Sequence, residues 1–233
     1  MTALLSRLFS SRRELPPKVE RYRRLAAKTD RKAPIGEAEF VAFDTELTGT
    51  DFARDSVISI GAVRLKGARL LAGESFYRLV KPESSLKSGS VPVHELTHTD
   101  LAEAGEPAAV LADFLEFIGG AVLVGHFVNV DLNFVNRSLK RHFGITLANP
   151  AVDTSAIHEW LYENDSAFKQ HFGGATVLKD LYSMARSYGV EAQKSHNSFN
   201  DAYLTAQLFQ RFLHFLAQAG VRRLDELLSV SKF

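Results

Sequence analysis

Phe40, Val41, Ala42 and Phe43 form a short unbroken apolar run, the pattern of a strand covered on both faces, and it ends at Asp44. Two further strands are predicted over 57–65 and 75–80, with Lys66-Gly67-Ala68 supplying a turn, so the three read as antiparallel neighbours. The period then changes. Pro107 suits a first helical turn, Val110, Leu111, Phe114, Leu115 and Ile118 recur at helical spacing, and Gly119-Gly120 closes the segment. A buried strand over 121–124, a helix over 131–143 ended by Gly144, and a short strand over 151–152 leading into a helix from Thr154 follow. Residues 164–176 are polar and read as a loop, after which 177–188 and 199–219 return to helical periodicity. Three strands followed by alternating helices and strands predict an α/β fold, a mixed sheet flanked by helices.

Composition narrows the chemistry. Cysteine is absent, which excludes disulfides, thiolate zinc sites and a cysteine nucleophile, so any metal must bind oxygen or imidazole. No apolar run approaches the roughly 18 residues that span a bilayer, and the opening lacks the continuous apolar stretch of a secretory signal. The expectation is a soluble cytoplasmic protein without membrane contact. Residues 1–34 hold ten Lys/Arg against three Asp/Glu, so the net charge of +1 conceals a front of +7 and a remainder of −6. Residues 1–36 are therefore read as a basic helical extension, 37–220 as the main domain and 221–233 as a short terminal segment. Leu4, Leu5, Leu8 and Phe9 alternate with Arg and Ser, making a helix over 1–13 amphipathic. Pro16 and Pro17 separate it from a second helix near 18–28. A solvated or partner-packing helix, a nucleic-acid-touching arm and an organelle transit peptide all fit this front.

The candidate chemistry lies in three separate segments. Asp44 and Glu46 flank Thr45 at a strand end, and strand alternation points i and i+2 to one face. Two carboxylates beside a core repel each other unless a proton or cation intervenes. In the last long helix, Asp201 stands three and four residues before Leu204 and Thr205, on the apolar stripe continued by Leu208, Phe212 and Phe215. An ionised carboxylate there calls for a ligand, whereas a solvated first-turn acid would be favoured by the helix dipole. His196 lies five residues earlier, about 140° away on a continuous helix, so it must ride the preceding loop to reach the same place. Asp131 follows Gly125-His126 at a helix start, where capping and metal binding are both open.

Together these segments resemble the DnaQ-like, or DEDDh, 3′→5′ exonucleases, a family that includes bacterial proofreading subunits and RNase T-like enzymes. The family's Asp-Thr-Glu-Thr-Thr-Gly stands here as Asp44-Thr45-Glu46-Leu47-Thr48-Gly49. Its Gly-His-Asn-x-x-Phe-Asp stands as Gly125-His126-Phe127-Val128-Asn129-Val130-Asp131, and its His-x-x-x-x-Asp-Ala as His196-Asn197-Ser198-Phe199-Asn200-Asp201-Ala202. The resemblance spans about residues 38–216 and implies an RNase H-like fold. It also implies that Asp44, Glu46, Asp131 and Asp201 gather two divalent cations, Mg²⁺ or Mn²⁺, with His196 as general base. Thr45, Leu47, Thr48, His126 and Phe127 are the implied substrate-side positions. Phe127 replaces the family's Asn and Val130 its Phe, which bears on how the terminal nucleotide is held. Leu47 replaces a Thr at a position that wedges against the terminal base.

The expected substrate is a nucleic acid with a free 3′ end, DNA favoured over RNA and single strands over duplexes. The alternatives are an exoribonuclease of the RNase T type and a non-catalytic nucleic-acid-binding or polymerase-associated module. Only a short stretch follows the last long helix, so a stand-alone enzyme is expected rather than one tethered to a polymerase. His94-Glu95-Leu96-Thr97-His98 matches the zinc-protease pattern, but Pro92, Gly105 and Pro107 bracket it too closely for the long helix that chemistry needs. Asp153 reads as an N-cap, Trp160 and Tyr162 as packing residues, and Lys169, Lys179, Arg186 and Lys194 as solvated surface.

Overall fold

The structure is a computed structural model that describes residues 14–83, 96, 98–172 and 180–232. The helix expected over 1–13, His94, Glu95 and Thr97 of the zinc-protease pattern, Lys179 and the start of the helix expected from 177 lie outside the described residues. Among the described residues five strands, β1 (Glu39–Leu47), β2 (Val57–Lys66), β3 (Arg69–Leu79), β4 (Val122–Gly125) and β5 (Ala151–Asp153), form one sheet in the order β3-β2-β1-β4-β5. The β1–β2 and β2–β3 pairs are antiparallel, and β4 pairs in parallel with both β1 and β5. The helices are α1 (Pro17–Ala26), α2 (His98–Ala102), α3 (Pro107–Ile118), α4 (Asn129–Phe143) and α5 (Thr154–Asn164). They continue with α6 (Ser166–His171), α7 (Leu181–Ser187), α8 (Ser198–Gln218) and α9 (Leu224–Val230). This is the RNase H-like mixed sheet expected from the order of patterns. None of the described helices is long and apolar enough to cross a membrane.

The unbroken apolar run of β1 is divided between two cores by side-chain alternation. Phe40 and Ala42 join Leu204, Leu208, Phe209 and Phe212 of α8 on one face. Val41 and Phe43 join Phe114 and Leu115 of α3 and Val135 and Leu139 of α4 on the other. Phe40 meets Phe209 edge to face at 5.0 Å. Burial of each such aromatic is worth about 1.5–3 kcal/mol relative to exposure. Because β1 is buried on both sides, residues beyond Phe43 inherit its alternation: Asp44 and Glu46 continue the α8 face and Thr45 the α4 face.

The second half of the basic extension is α1, which packs on α3 of the same chain. Val19 and Tyr22 are fully buried there, and the Tyr22 hydroxyl donates to Asn149 Oδ1 at 2.7 Å and accepts from the Ala148 amide at 2.7 Å. Lys18 reaches Asp113 at 2.6 Å, but both side chains are solvated, so the apolar contact carries most of the attachment. Behind it, the Ile35 amide donates to the Arg222 carbonyl and the Leu224 amide to that of Ala33, joining α9 to the extension.

Several elements differ from their sequence expectations. β1 does not end at Asp44 but continues through Leu47, held by antiparallel pairing with β2. β3 begins at Arg69 rather than Ser75; its first half is exposed and carries no burial pattern, yet completes the hairpin through Gly67 at φ 52°. Within the stretch expected to be a loop, α6 forms because the Asp165 carboxylate accepts from the amides of Ala167 and Phe168. α4 starts at Asn129, so Asp131 lies inside its first turn and is not the N-cap.

Candidate active site

The acidic residues meet where the carboxyl ends of β1 and β4 face the start of α8. Ligand oxygens of Asp44, Glu46 and Asp201 lie within 4.8 Å of one another. Strand alternation supplies the first two, and the third comes from the first turn of α8, whose N-cap Asn197 accepts from the amides of Phe199 and Asn200. Asp131 is not in that triad but is tied to it through Thr45. Both the amide and the hydroxyl of Thr45 donate to Asp131 Oδ1, at 2.9 and 2.6 Å. Thr45 thus points away from Asp44 and Glu46 and fixes the fourth carboxylate beside them.

One glycine makes the approach of α8 possible. Gly61 pairs with Asp44 across β1 and β2, and a Cβ on it would sit 2.2 Å from the Ser198 carbonyl carbon and 2.3 Å from the Phe199 nitrogen. The helix start therefore rests directly on strand backbone, with the hydroxyls of Ser59 and Ser198 joined at 2.8 Å. Gly61→Ala is expected to push this end of α8 off the sheet, costing about 2–3 kcal/mol of stability. Metal-dependent activity should fall with it, because Asp201 moves with the helix. Thermal unfolding and nuclease assays side by side would check this; an unshifted midpoint would show that the contact yields without strain.

Concentrated negative charge in a partly dry place has the expected electrostatic result. Burial, reinforced by Asp131, Asp201 and Glu46, holds the Asp44 carboxyl well above the usual carboxylate range. Burial and then the charges of Asp201 and Asp131 push Glu46 up to about 8. Burial raises Asp131 to about 7 against the opposing Thr45 hydrogen bonds. Asp201 is also raised by burial, less so because Tyr182 donates to it and His196 is near. Each group is pressed toward its neutral form, and a divalent cation would relieve the same repulsion. Carboxylate oxygens are hard donors of the kind Mg²⁺ and Mn²⁺ prefer, so the residues present fit such ions.

His196 rides the loop before α8, as its spacing required, in a left-handed conformation at φ 40°. Its amide donates to the Tyr182 hydroxyl at 3.1 Å, and that hydroxyl donates to Asp201, with Oδ1 at 2.7 Å and Oδ2 at 2.9 Å. Sequence reasoning missed Tyr182, which sits on α7 among apolar residues and carries no motif. Asp153 caps α5 as expected, accepting from the Ser155 amide at 2.8 Å. It also accepts from the amides of Phe127 and Val128, at 3.2 and 2.8 Å, bracing the left-handed turn of Phe127 at φ 54°.

The implied substrate-side residues divide into two groups. Thr48 is buried, its hydroxyl donating to Asp55 Oδ1 and accepting from the Ser56 amide, so its side chain holds the following loop. Thr45 is likewise buried and committed to Asp131. His126 Nδ1 lies 2.9 Å from Thr154 Oγ1, which itself donates to the Gly125 carbonyl. Leu47 is partly buried against the α3–α4 core. Phe127 is 45% exposed, and of the other large apolar side chains exposed among the described residues, Val130, Phe52 and Tyr203 also stand on segments that carry the acidic cluster or adjoin them.

Residues 41–209 match the RNase_T family of exonucleases. The chain is 31% identical over 194 residues to the PolC-type DNA polymerase III of Caldanaerobacter subterraneus, covering 83% of this chain but 13% of that protein. It is 30% identical over 180 residues to the DNA polymerase III subunit epsilon of Aquifex aeolicus, covering 77% and 83%. Among solved structures, E. coli exonuclease I in complex with a dA16 oligonucleotide superposes with a TM-score of 0.64 at 18% identity, over 78% of this chain and 43% of that one. Exonuclease X in complex with 5′ overhanging duplex DNA gives 0.60 at 14% identity, over 83% and 99%.

Proposed function

Because this chain belongs to the DnaQ-like exonuclease family, we propose that it removes nucleotides one at a time from the 3′ end of a nucleic acid, with single-stranded DNA as the favoured substrate. The observation that carries this reading is the convergence of Asp44, Glu46 and Asp201 within 4.8 Å, with Asp131 fastened beside them by Thr45. These four carboxylates would hold two divalent cations, Mg²⁺ or Mn²⁺, which when bound activate water and offset the charge gathering on the scissile phosphate. His196 takes a proton from the attacking water, a task suited to an imidazole near neutral pH. The water oxygen bonds to phosphorus as the bond to the leaving 3′-oxygen breaks. The products are a nucleoside 5′-monophosphate and a strand one residue shorter.

Phe127 supplies an exposed aromatic face on which a terminal base stacks, and Leu47 an apolar wedge beside it, contacts that tolerate any sequence. Support for DNA comes from the polymerase III relatives and from the DNA named with both structural neighbours. Trimming of this kind suits proofreading or repair.

The test is a time course on 5′-labelled DNA and RNA oligonucleotides of one sequence, with Mn²⁺, Mg²⁺ or EDTA. The expected result is a ladder descending from full length, DNA faster than RNA, and no products in EDTA. Immediate release of a labelled mononucleotide would reverse the polarity, and RNA shortened faster than DNA would favour the RNase T type of enzyme.

A further inference from the structure

We infer that Tyr182 is a positioning residue that couples the Asp201 carboxylate to the His196 backbone through a single hydroxyl; this rests on the reading that Asp201 holds a cation and His196 moves a proton. The Tyr182 ring lies on α7 and is only 7% exposed, so its oxygen is held from behind by packing. That oxygen meets both Asp201 oxygens, at 2.7 and 2.9 Å. A donor shared between the two resists rotation of the carboxylate about its last bond and leaves each oxygen a lone pair for another partner.

The same oxygen accepts the His196 N–H at 3.1 Å. His196 is at φ 40°, where side chains other than glycine rarely rest, and its amide is satisfied by a side chain rather than by secondary structure. The rings of Tyr182 and His196 stand 6.0 Å apart at 75°, which limits the paths open to the imidazole. One atom therefore sets the orientation of a carboxylate on α8 and the turn that delivers the histidine. Neither residue gets this from the helix itself, since His196 precedes the N-cap Asn197 and Asp201 lies in the first turn.

Tyr182→Phe removes the oxygen and keeps the ring. On a 5′-labelled single-stranded DNA oligonucleotide, kcat is expected to fall about 10–100-fold, and the Mn²⁺ concentration giving half-maximal rate to rise by about tenfold. KM for the oligonucleotide should stay within about twofold, since the hydroxyl faces Asp201 and His196 rather than solvent. Calorimetric titration of Mn²⁺ without nucleic acid should weaken in parallel, while the metal-free thermal midpoint falls by about 2–4 °C, as for one lost hydrogen bond. A lower midpoint with wild-type kcat and wild-type Mn²⁺ dependence would make Tyr182 a packing residue and overturn the inference. Wild-type protein that leaves every oligonucleotide intact would instead overturn the nuclease reading, and the assigned role with it.

Discussion

Asp44→Asn is expected to lower turnover by at least about 10³-fold while the chain stays folded. The loss corresponds to about 4 kcal/mol of transition-state stabilisation, in the range expected when a principal cation ligand is removed. Asparagine keeps the shape of the side chain and its β1 register against Gly61, so the sheet is undisturbed. What disappears is a negative charge at the point where burial, Asp131, Asp201 and Glu46 all oppose ionisation. The same substitution should therefore leave the metal-free protein as stable as wild type, or more so, at pH 8. Loss of activity with an equal or higher unfolding midpoint separates a charge placed for function from one that supports the fold. Retention of more than a tenth of the activity would remove Asp44 from the reaction.

The second large effect is a pH-dependent stabilisation by divalent cations. Burial raises the folded-state pKa of Glu46 to about 8 and of Asp131 to about 7, and raises Asp44 and Asp201 as well, with repulsion from neighbouring carboxylates adding to it at Asp44 and Glu46. A carboxyl with a raised folded pKa favours the folded state at low pH. That contribution is lost as pH rises from the unfolded value through the folded one. In EDTA the unfolding midpoint should accordingly decline between about pH 5 and 8.5. Solvent reaches part of Asp44 and Glu46, so the decline is held to about 2 kcal/mol, or about 4–8 °C. Mn²⁺ binds the ionised form. Each ion at one hundred times its dissociation constant adds about 2.7 kcal/mol, so saturation at pH 8 should raise the midpoint by about 10 °C or more. The increment should shrink toward pH 5, where protons compete. An equal increment at both pH values would place the ions elsewhere.

These expectations depend on features of unequal visibility in the sequence. The apolar run 40–43 marked a strand buried on both faces, and the i, i+2 spacing of Asp44 and Glu46 put both on one side of it; the structure has both features. Asp201 was legible as an acid on an apolar helix stripe, and His196 as a residue that had to ride a loop. Asp131 was ambiguous because Asp near a helix start commonly caps. What distinguishes it is the pair of bonds from Thr45, 86 positions away in the chain. Tyr182 and Gly61 left no local signal. A tyrosine at helical spacing looks like core, and a glycine inside a strand does not announce the helix backbone resting on it. Asp165, by contrast, carried a readable capping signal that the surrounding polar composition outweighed, and α6 was missed as a result.

The central claim is that acidic side chains from three stretches of chain hold divalent cations at one place. Crystals grown with Mn²⁺ and a nucleoside 5′-monophosphate, measured at a wavelength where manganese scatters anomalously, test it most directly. The predicted result is two anomalous peaks about 3.5–4 Å apart, bounded by Asp44, Glu46, Asp131 and Asp201, with the nucleotide phosphate against them. Density that leaves these carboxylates without a cation while the nucleotide binds, or manganese held at another surface, would contradict the account.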